Sequence, residues 1–346
     1  MKDRDNFFGE PCHDILTKSI KPSLSYSAEC DFSRWRDELS DKLYTLTGLY
    51  DIEKNKSPNL NLEILWQREK DGYTEIKFTF SSEIGATVPC YLLIPKGEKE
   101  KYPVAITLQG HSTGAHNSAG YLLFDRDKEY QPRGQFGIQA VRNGYAALCI
   151  EQRGMGERRP TAPSRLESLC GFTALSALQL GRTVLGERMY DISCAIDVLD
   201  NFKECDTEKI FITGNSGGGT ASYYAACIDK RIKLCVPSCA FCSYSASILD
   251  IAHCCCNYIP SAFKYFEMQD LASLIAPRPI AVIAGEHDDI FPIEGVKSAY
   301  ATLSEIYKAA GAEDECRLVV TPKDHWWCVD IVWDTVNDMT RKLGWI

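Results

Sequence analysis

The sequence predicts an α/β protein whose central sheet is mostly parallel and covered by helices on both faces. Short apolar runs recur beyond residue 100, and longer amphipathic segments such as GRTVLGERMYDISCAIDVLDNF separate several of them. Continuous apolar strands alternating with helices are typical of a parallel sheet that is buried on both sides. The runs are VAITLQ, AALCIE, KIFITG, LCVPSCA, IAVIAG and CRLVVTP. With 346 residues, of which 45% are hydrophobic, the chain can bury one large core.

The N-terminal part of the chain, residues 1–60, is predicted to form a helical extension that lies on the main domain. Ser33 can cap a helix whose apolar residues recur at helical spacing, and Gly48 can end it. These apolar residues are Trp35, Leu39, Leu43 and Leu46. Residues 61–346 form the predicted main domain, with an insertion at about 241–269 that interrupts the alternation of strands and helices.

Three segments at the start of the main domain predict an antiparallel meander. They are NLEILWQRE, YTEIKFTF and VPCYLLIP, and the Asp71-Gly72 pair between the first two is a hairpin-turn signal. Such a meander leaves an edge strand with unpaired backbone groups. Two outcomes are open: the edge pairs with a second copy of the chain in a homodimer, or the N-terminal segment covers it.

Charge and composition argue against several classes of partner. The formal net charge is -9 and no block of Lys or Arg occurs, so neither nucleic acid nor an anionic membrane is an expected partner. No early segment resembles the core of a signal peptide, and the expected location is cytoplasmic. The 16 cysteines are scattered along a chain large enough to need no disulfides. Most are therefore expected to be buried thiols in a reducing compartment.

The segment HCCCN at residues 253–257 raises the question of a metal site. Adjacent side chains diverge, so the four consecutive candidates cannot all face one tetrahedral ion. These candidates are His253, Cys254, Cys255 and Cys256. The sequence therefore predicts no metal, and no organic cofactor either.

The segment KIFITGNSGGGT places a single serine in a glycine-rich turn between a predicted strand and a predicted helix. Residues 214–218 read G-x-S-x-G, the pattern of a nucleophile elbow, with Ser216 at its centre. In such an elbow the serine has strained backbone angles, and the glycines allow the strand and the helix to approach. Ser216 is the candidate nucleophile, although the short pattern also occurs in ordinary glycine-rich turns.

A serine nucleophile needs a base, and the base needs an acid that orients it. In this kind of fold both follow later strands, in the order Ser, Asp or Glu, His. Asp288 and Asp289 follow PIAVIAG, and His325 follows CRLVVTP. His325 is the predicted base. Asp288 is favoured over Asp289 as the acid because it lies nearer the end of the strand.

Acyl transfer also requires hydrogen-bond donors for the oxyanion of the tetrahedral intermediate. The backbone N–H of Gly217, directly after the serine, is one candidate. The backbone N–H of His111, in the QGHSTG loop after VAITLQ, is the other.

These motifs together resemble the α/β-hydrolase superfamily, specifically its acetyl xylan esterase-like branch, which is related to dienelactone hydrolases and prolyl oligopeptidases. The resemblance spans about residues 100–330 and is carried by TLQGHSTG, EQRGMGER, GRTVLGERMYDI, GNSGGGT, DKRIKLCVPSC, HCCCNYIP, LIAPRPIAVIAGEHDDIFP and DHWW. It implies an α/β-hydrolase fold and the same nucleophile, acid, base and oxyanion donors. It also implies that EQRGMGE is an active-site loop.

Three further residues are candidate substrate contacts. In the implied active-site loop, Arg153 either organises neighbouring loops through forked hydrogen bonds or has a purely structural role. His253 belongs to the HCCCNYIP segment that carries the resemblance. Trp326, with Trp327, either stacks on a sugar ring or belongs to the core.

The predicted function is a serine carboxylesterase for short acyl groups, with acetyl esters of carbohydrates such as xylo-oligosaccharides as expected substrates. The partner is thus a small-molecule or oligosaccharide ester. One alternative is a peptidase of the prolyl oligopeptidase type, which is disfavoured because the roughly 100 preceding residues are too few for a propeller. The other is a ligand-binding homologue without catalysis, for which an intact triad would have no use.

Overall fold

The structure, a computed structural model, describes residues 11–161 and 169–346. Its strands are β1 (Glu63–Glu69), β2 (Tyr73–Glu83), β3 (Ala86–Pro95), β4 (Tyr102–Leu108), β5 (Ala146–Ile150), β6 (Cys205–Asn215), β7 (Ile232–Ser238), β8 (Ile280–Gly285) and β9 (Cys316–Thr321). They form a nine-stranded sheet in the order β1-β2-β3-β5-β4-β6-β7-β8-β9. The neighbours from β5 to β9 pair in parallel, whereas β1, β2 and β3 pair antiparallel to their neighbours. The prediction of a mostly parallel sheet is confirmed.

Helices cover both faces of this sheet, also as predicted. They are α1 (Pro11–Ser19), α2 (Phe32–Thr47), α3 (Leu49–Lys54), α4 (Phe136–Arg142), α5 (Leu169–Gln179), α6 (Val184–Leu199), α7 (Gly217–Ile228), α8 (Ala272–Ile275), α9 (Ile293–Ala309) and α10 (Val329–Lys342). Alternate residues of the central strands face opposite sides: in β6, Ile210 and Ile212 pack in one buried cluster and Phe211 in another. The first cluster includes buried residues of α2, α6, α7 and α9, and the second includes those of α4 and α10.

The predicted N-terminal helix is present as α2, with one difference at its start. The side chain of Asp31, not that of Ser33, caps the helix by accepting the N–H of Arg34 at 3.1 Å. Gly48 ends the helix with a φ of 77°, a left-handed conformation that glycine adopts without strain. The buried stripe of Trp35, Leu39 and Leu43 joins the same apolar cluster as one face of the sheet. The division of the chain near residue 60 remains a prediction.

The antiparallel meander follows the predicted pattern. The strands β1 and β2 pair around the Asp71-Gly72 turn, where the N–H of Lys70 donates to the carbonyl of Tyr73 at 2.9 Å. The strand β1 is the edge of the sheet, and most of its residues are exposed. A homodimer formed through this edge remains a prediction.

The topology gathers several loops at one edge of the sheet. Parallel strands end on the same side, so the loops after β4, β6, β8 and β9 lie close together. The long connection from β7 to α8 crosses this edge in short turns, over the region predicted to be an insertion. In the part of the chain that the structure covers, no helix has the length and apolar character needed to cross a bilayer.

Candidate active site

The turn between β6 and α7 has the geometry of a nucleophile elbow. Ser216 lies between the strand and the helix with φ 56° and ψ -127°, a strained combination for a residue with a side chain. Close packing explains the glycines that follow it, because a Cβ on Gly218 would lie only 2.1 Å from the carbonyl oxygen of Leu108. The strain and the close approach together hold the Ser216 side chain above the edge of the sheet.

Two of the predicted partners meet at the neighbouring strand ends. The Nδ1 atom of His325 lies 2.9 Å from Oδ2 of Asp288. The other carboxylate oxygen of Asp288 accepts the backbone N–H groups of Ile290 and Phe291, at 2.9 and 3.0 Å. Asp288 is buried, whereas Asp289 is exposed and makes no hydrogen bond with His325. The structure thus brings Asp288, and not Asp289, to the imidazole.

The electrostatics of this pair favour an ionised aspartate. Burial alone would raise the pKa of Asp288, but the hydrogen bond and charge of His325, together with the two N–H donors, lower its pKa below the ordinary value. The ring of Phe291 stacks on that of His325, with 5.9 Å between centroids and an interplanar angle of 15°. The imidazole is therefore held on one edge by the carboxylate and on one face by an aromatic ring.

Ser216 and His325 line the same cavity, which has a volume of about 310 Å³. Its wall includes several polar side chains, among them Gln109, Asn117, Tyr130, Arg133 and Asn215. The Ser216 hydroxyl makes no hydrogen bond with any residue in the described ranges, so it is available to a ligand in this cavity. A reacting group bound here would contact the serine and the histidine together.

The loop after β4 packs closely against the turn that carries Ser216. A Cβ on Gly110 would lie 2.8 Å from the carbonyl oxygen of Asn215 and 3.0 Å from Cβ of Ser216, so only glycine allows this approach. The next residue, His111, lines the cavity beside Ser216. Within residues 11–161 and 169–346, the backbone N–H groups of His111 and Gly217 donate to no other residue. Both predicted oxyanion donors are thus unpaired and beside the serine.

Comparisons with known proteins agree with this architecture. The model of the Abhydrolase family matches residues 12–308. The chain belongs to this family. It is 31% identical to the Bacillus subtilis (strain 168) protein named "Putative hydrolase YtaP" over 259 residues, which cover 74% of this chain and 83% of that protein. The predicted α/β-hydrolase membership is confirmed.

Two solved structures share the fold of this Abhydrolase family member at low sequence identity. A "putative acetyl xylan esterase" from Bacteroides fragilis NCTC 9343 superposes with a TM-score of 0.79 and 17% identity, covering 98% of this chain and 97% of that one. A glucuronoyl esterase from Solibacter usitatus superposes with a TM-score of 0.66 and 16% identity, covering 94% and 98%. At these identities the similarity establishes the fold.

Two buried carboxylates hold the loop after β4. Asp127 accepts the N–H groups of Leu123 and Phe124 at 2.6 and 2.7 Å and lies 3.0 Å from Nε2 of His116. Glu151, the first residue after β5, accepts the N–H of Ala115 at 3.0 Å. These contacts fix the loop that carries His111.

The buried carboxyl of Glu151 should make stability depend on pH. Burial raises its pKa from 4.5 to about 7, although the N–H groups of Ala115 and Glu157 oppose the shift. The native state therefore binds this proton more tightly than the unfolded chain does. Its stabilising contribution is complete below about pH 4.5 and is lost as the pH rises through about 7.

We expect Glu151→Gln to remove this dependence. Between about pH 5 and pH 8, the free energy of unfolding of the wild type should fall relative to that of the variant by about 2.5 kcal/mol, which is most of the effect of the full pKa shift. Urea unfolding at both pH values measures the difference, and Glu53→Gln, at an exposed position, is the matched control. Equal pH slopes for wild type and Glu151→Gln would contradict the expectation.

The Arg153 side chain makes forked hydrogen bonds and ion pairs within the protein, and the choice between its two predicted roles remains open. Its guanidinium donates from Nε and Nη2 to both carboxylate oxygens of Asp191 at 2.9 Å, and it also pairs with Glu83 and Glu187. These partners join β2 and α6 to the loop after β5. Arg153 is not among the residues that line the cavity, so the structure does not support a contact between this side chain and the substrate.

The other two candidate contacts also lie off the cavity wall. His253 bonds to Oγ of Ser247 at 2.9 Å and packs edge-on against Phe291, on which His325 stacks. Trp326 is 39% exposed and lies outside the lining, whereas its neighbour Trp327 is buried and lines the cavity. The sequence around the two tryptophans has no periodicity, so it could not show which of them lines the cavity.

Arg133 is a cavity residue that the sequence analysis missed. Its guanidinium lies 3.7 Å from the ring centroid of Trp326, and its Nε atom is buried without a partner among the described residues. A lone arginine in a loop has no motif around it, so only the fold reveals its place. Trp326 therefore contributes to the cavity indirectly, by supporting Arg133.

A group of thiols lies beside His111, in the loop after β4. The side chains of His111, Cys170, Cys254 and Cys256 gather there, each with one ligand atom within 4.8 Å of the others. Burial opposes protonation of His111, yet hydrogen bonding with the thiols of Cys170 and Cys254 raises its pKa to about 9. The prediction that the four side chains of His253, Cys254, Cys255 and Cys256 cannot all face one point is confirmed, because only Cys254 and Cys256 belong to this group.

Proposed function

We propose that this protein is a serine carboxylesterase that hydrolyses short-chain acyl esters of carbohydrates. The observation that carries the proposal is the hydrogen bond of His325 to the buried Asp288, on the wall of the cavity that also exposes Ser216 at a strained elbow. Such an arrangement provides a nucleophile, a base and an acid that orients the base. The names of the structural relatives, an acetyl xylan esterase and a glucuronoyl esterase, support ester hydrolysis.

The first half of the proposed reaction forms an acyl-enzyme. Oγ of Ser216 attacks the ester carbonyl carbon while Nε2 of His325 takes the hydroxyl proton. The carbonyl oxygen becomes an oxyanion, which accepts hydrogen bonds from the N–H groups of His111 and Gly217. The C–O bond to the alcohol then breaks, and His325 gives its proton to the leaving alkoxide.

The second half repeats these steps with water. His325 removes a proton from the water, whose oxygen attacks the acyl carbon, and the collapse of the intermediate returns the proton to Ser216. Asp288 stays ionised throughout and stabilises the imidazolium that forms in each half, consistent with its lowered pKa. No step requires a group from outside the chain other than water.

The cavity supports a short acyl group on a polar alcohol. A volume of about 310 Å³ is at the lower end of the range for small-molecule sites. Its amide, phenol and guanidinium groups offer hydrogen bonds to a polyhydroxylated ligand, which a purely apolar acyl-binding pocket would not. These lining groups are Gln109, Asn117, Tyr130, Arg133 and Asn215.

A substrate panel tests the proposal. We expect hydrolysis of acetylated xylo-oligosaccharides and of 4-nitrophenyl acetate, with kcat/KM falling as the acyl chain of the 4-nitrophenyl ester lengthens. Proline-containing peptide substrates should remain uncut, which distinguishes an esterase from a peptidase of similar fold. Sugar binding without turnover of any ester would instead identify a ligand-binding homologue and overturn the proposal.

A further inference from the structure

Three segments that are distant in the sequence bring four metal-binding side chains together. His111 comes from the loop after β4, Cys170 from the start of α5, and Cys254 and Cys256 from the connection between β7 and α8. Their ligand atoms all lie within 4.8 Å of one another. The Nε2 atom of His111 is 3.3 Å from Sγ of Cys256. The group is separate from Asp288 and His325.

The size and chemistry of this group match a tetrahedral zinc ion. With Zn–S bonds of about 2.3 Å and Zn–N bonds of about 2.0 Å, the ligand atoms of a Cys₃His site are roughly 3.5–3.8 Å apart. The observed spacing needs only a small contraction to reach this geometry. Four protein ligands leave no open position for water, so the expected site is structural and not catalytic.

A buried arginine balances the charge of such a site. Arg188 of α6 is 2% exposed, and its Nη2 atom donates to Sγ of Cys170 at 3.1 Å and to the carbonyl of Arg153 at 2.7 Å. Three thiolates around one Zn²⁺ carry a net charge of about -1, which one guanidinium neutralises.

We propose that His111, Cys170, Cys254 and Cys256 bind one structural Zn²⁺ ion. The metal would replace the thiol protons and tie the loop after β4 to α5 and to the insertion. This proposal replaces the sequence-based expectation of no metal. That expectation considered consecutive residues, whereas the ligands are the alternate residues Cys254 and Cys256 together with two distant ones.

The site also has a consequence for the oxyanion donors. A Cβ on Gly217 would lie 3.0 Å from Cε1 and 3.1 Å from Nδ1 of His111, so the imidazole packs directly on Gly217. A metal bound to Nε2 would hold the ring in this position. The metal would thereby fix the distance between the two backbone N–H groups, on His111 and on Gly217, without contacting the substrate.

Metal analysis of the full chain is the direct test. Protein purified under reducing conditions without a metal-binding tag should contain about one zinc per chain. Cys170→Ser and Cys256→Ser should lose most of it, whereas Cys255→Ser, at the partly buried position between the two proposed ligands, should keep it. Equal loss from Cys255→Ser would overturn the ligand assignment.

A second measurement needs no variant and does not depend on esterase activity. When Co²⁺ replaces zinc in the wild type, the absorption of thiolate-to-cobalt charge transfer and the intense visible bands of a tetrahedral ion should appear. Removal of zinc by a chelator should also lower the Tm. A reduced wild-type chain that takes up neither zinc nor cobalt would overturn the proposal. So would peptide mapping of freshly purified protein that finds a disulfide between Cys170 and Cys254 or Cys256.

Discussion

Replacing Ser216 with alanine should reduce kcat for 4-nitrophenyl acetate by roughly 10⁵-fold or more. The proposed acyl-enzyme cannot form without the hydroxyl, and neither the base nor the oxyanion donors can substitute for it. A comparison of steady-state rates, with the rate of the substrate in buffer subtracted, measures the loss. A serine-directed phosphonate that labels the wild type and not Ser216→Ala would place the covalent bond on this residue.

The loss should come from chemistry and not from unfolding. The Ser216 hydroxyl has no hydrogen-bond partner among the described residues, so its removal leaves no buried polar group unpaired. The Tm of Ser216→Ala should therefore stay close to that of the wild type. Ser33→Ala, at an exposed position on α2, is the control for serine replacement. Retention of most of the activity in Ser216→Ala would exclude this elbow as the source of the nucleophile.

The sequence predicts the grouping of the three candidate catalytic residues because that grouping depends only on where the strands end. Ser216, Asp288 and His325 each come after a continuous apolar run, and parallel strands bring their carboxyl ends to one edge of a sheet. That rule places the three residues near one another without any knowledge of side-chain positions. It also explains why Gly110 and His111, after β4, lie beside the elbow.

The remaining features depend on contacts that local patterns do not contain. Arg133 lines the cavity from a loop that carries no motif, and Trp327 lines the cavity in place of Trp326 through a difference of one position. The thiol group joins Cys170 to Cys256 across segments that share no periodicity. In each case the decisive distance lies between residues far apart in the chain, which propensity and spacing cannot supply.

The capping of α2 shows the same limit at short range. Ser33 and Asp31 are both good capping residues, and each precedes the apolar stripe that begins at Trp35. The helix starts at Phe32 because the Asp31 carboxylate reaches the N–H of Arg34. The existence of the helix follows from its buried stripe, whereas its first residue depends on which of two similar caps forms.

Asp288→Asn should lower kcat by roughly 10⁴-fold while leaving KM and the fold nearly unchanged. Oδ1 of Asp288 accepts the two backbone N–H groups, and Oδ2 accepts from His325. An asparagine can keep the first oxygen in place and present its NH₂ group where Oδ2 was. The NH₂ group would then donate to Nδ1 of His325, so the imidazole proton would move to Nε2. A protonated Nε2 cannot accept the proton of Ser216.

Asp289→Asn is the matched control for this prediction, because it makes the same chemical change one residue away on an exposed side chain. Its kcat should remain within about twofold of the wild type, since an exposed carboxylate interacts only weakly with its surroundings. A large loss in Asp289→Asn together with a small one in Asp288→Asn would mean that the loop rearranges on substrate binding. The two variants thus distinguish Asp288, the proposed partner of His325, from Asp289, the alternative that the sequence left open.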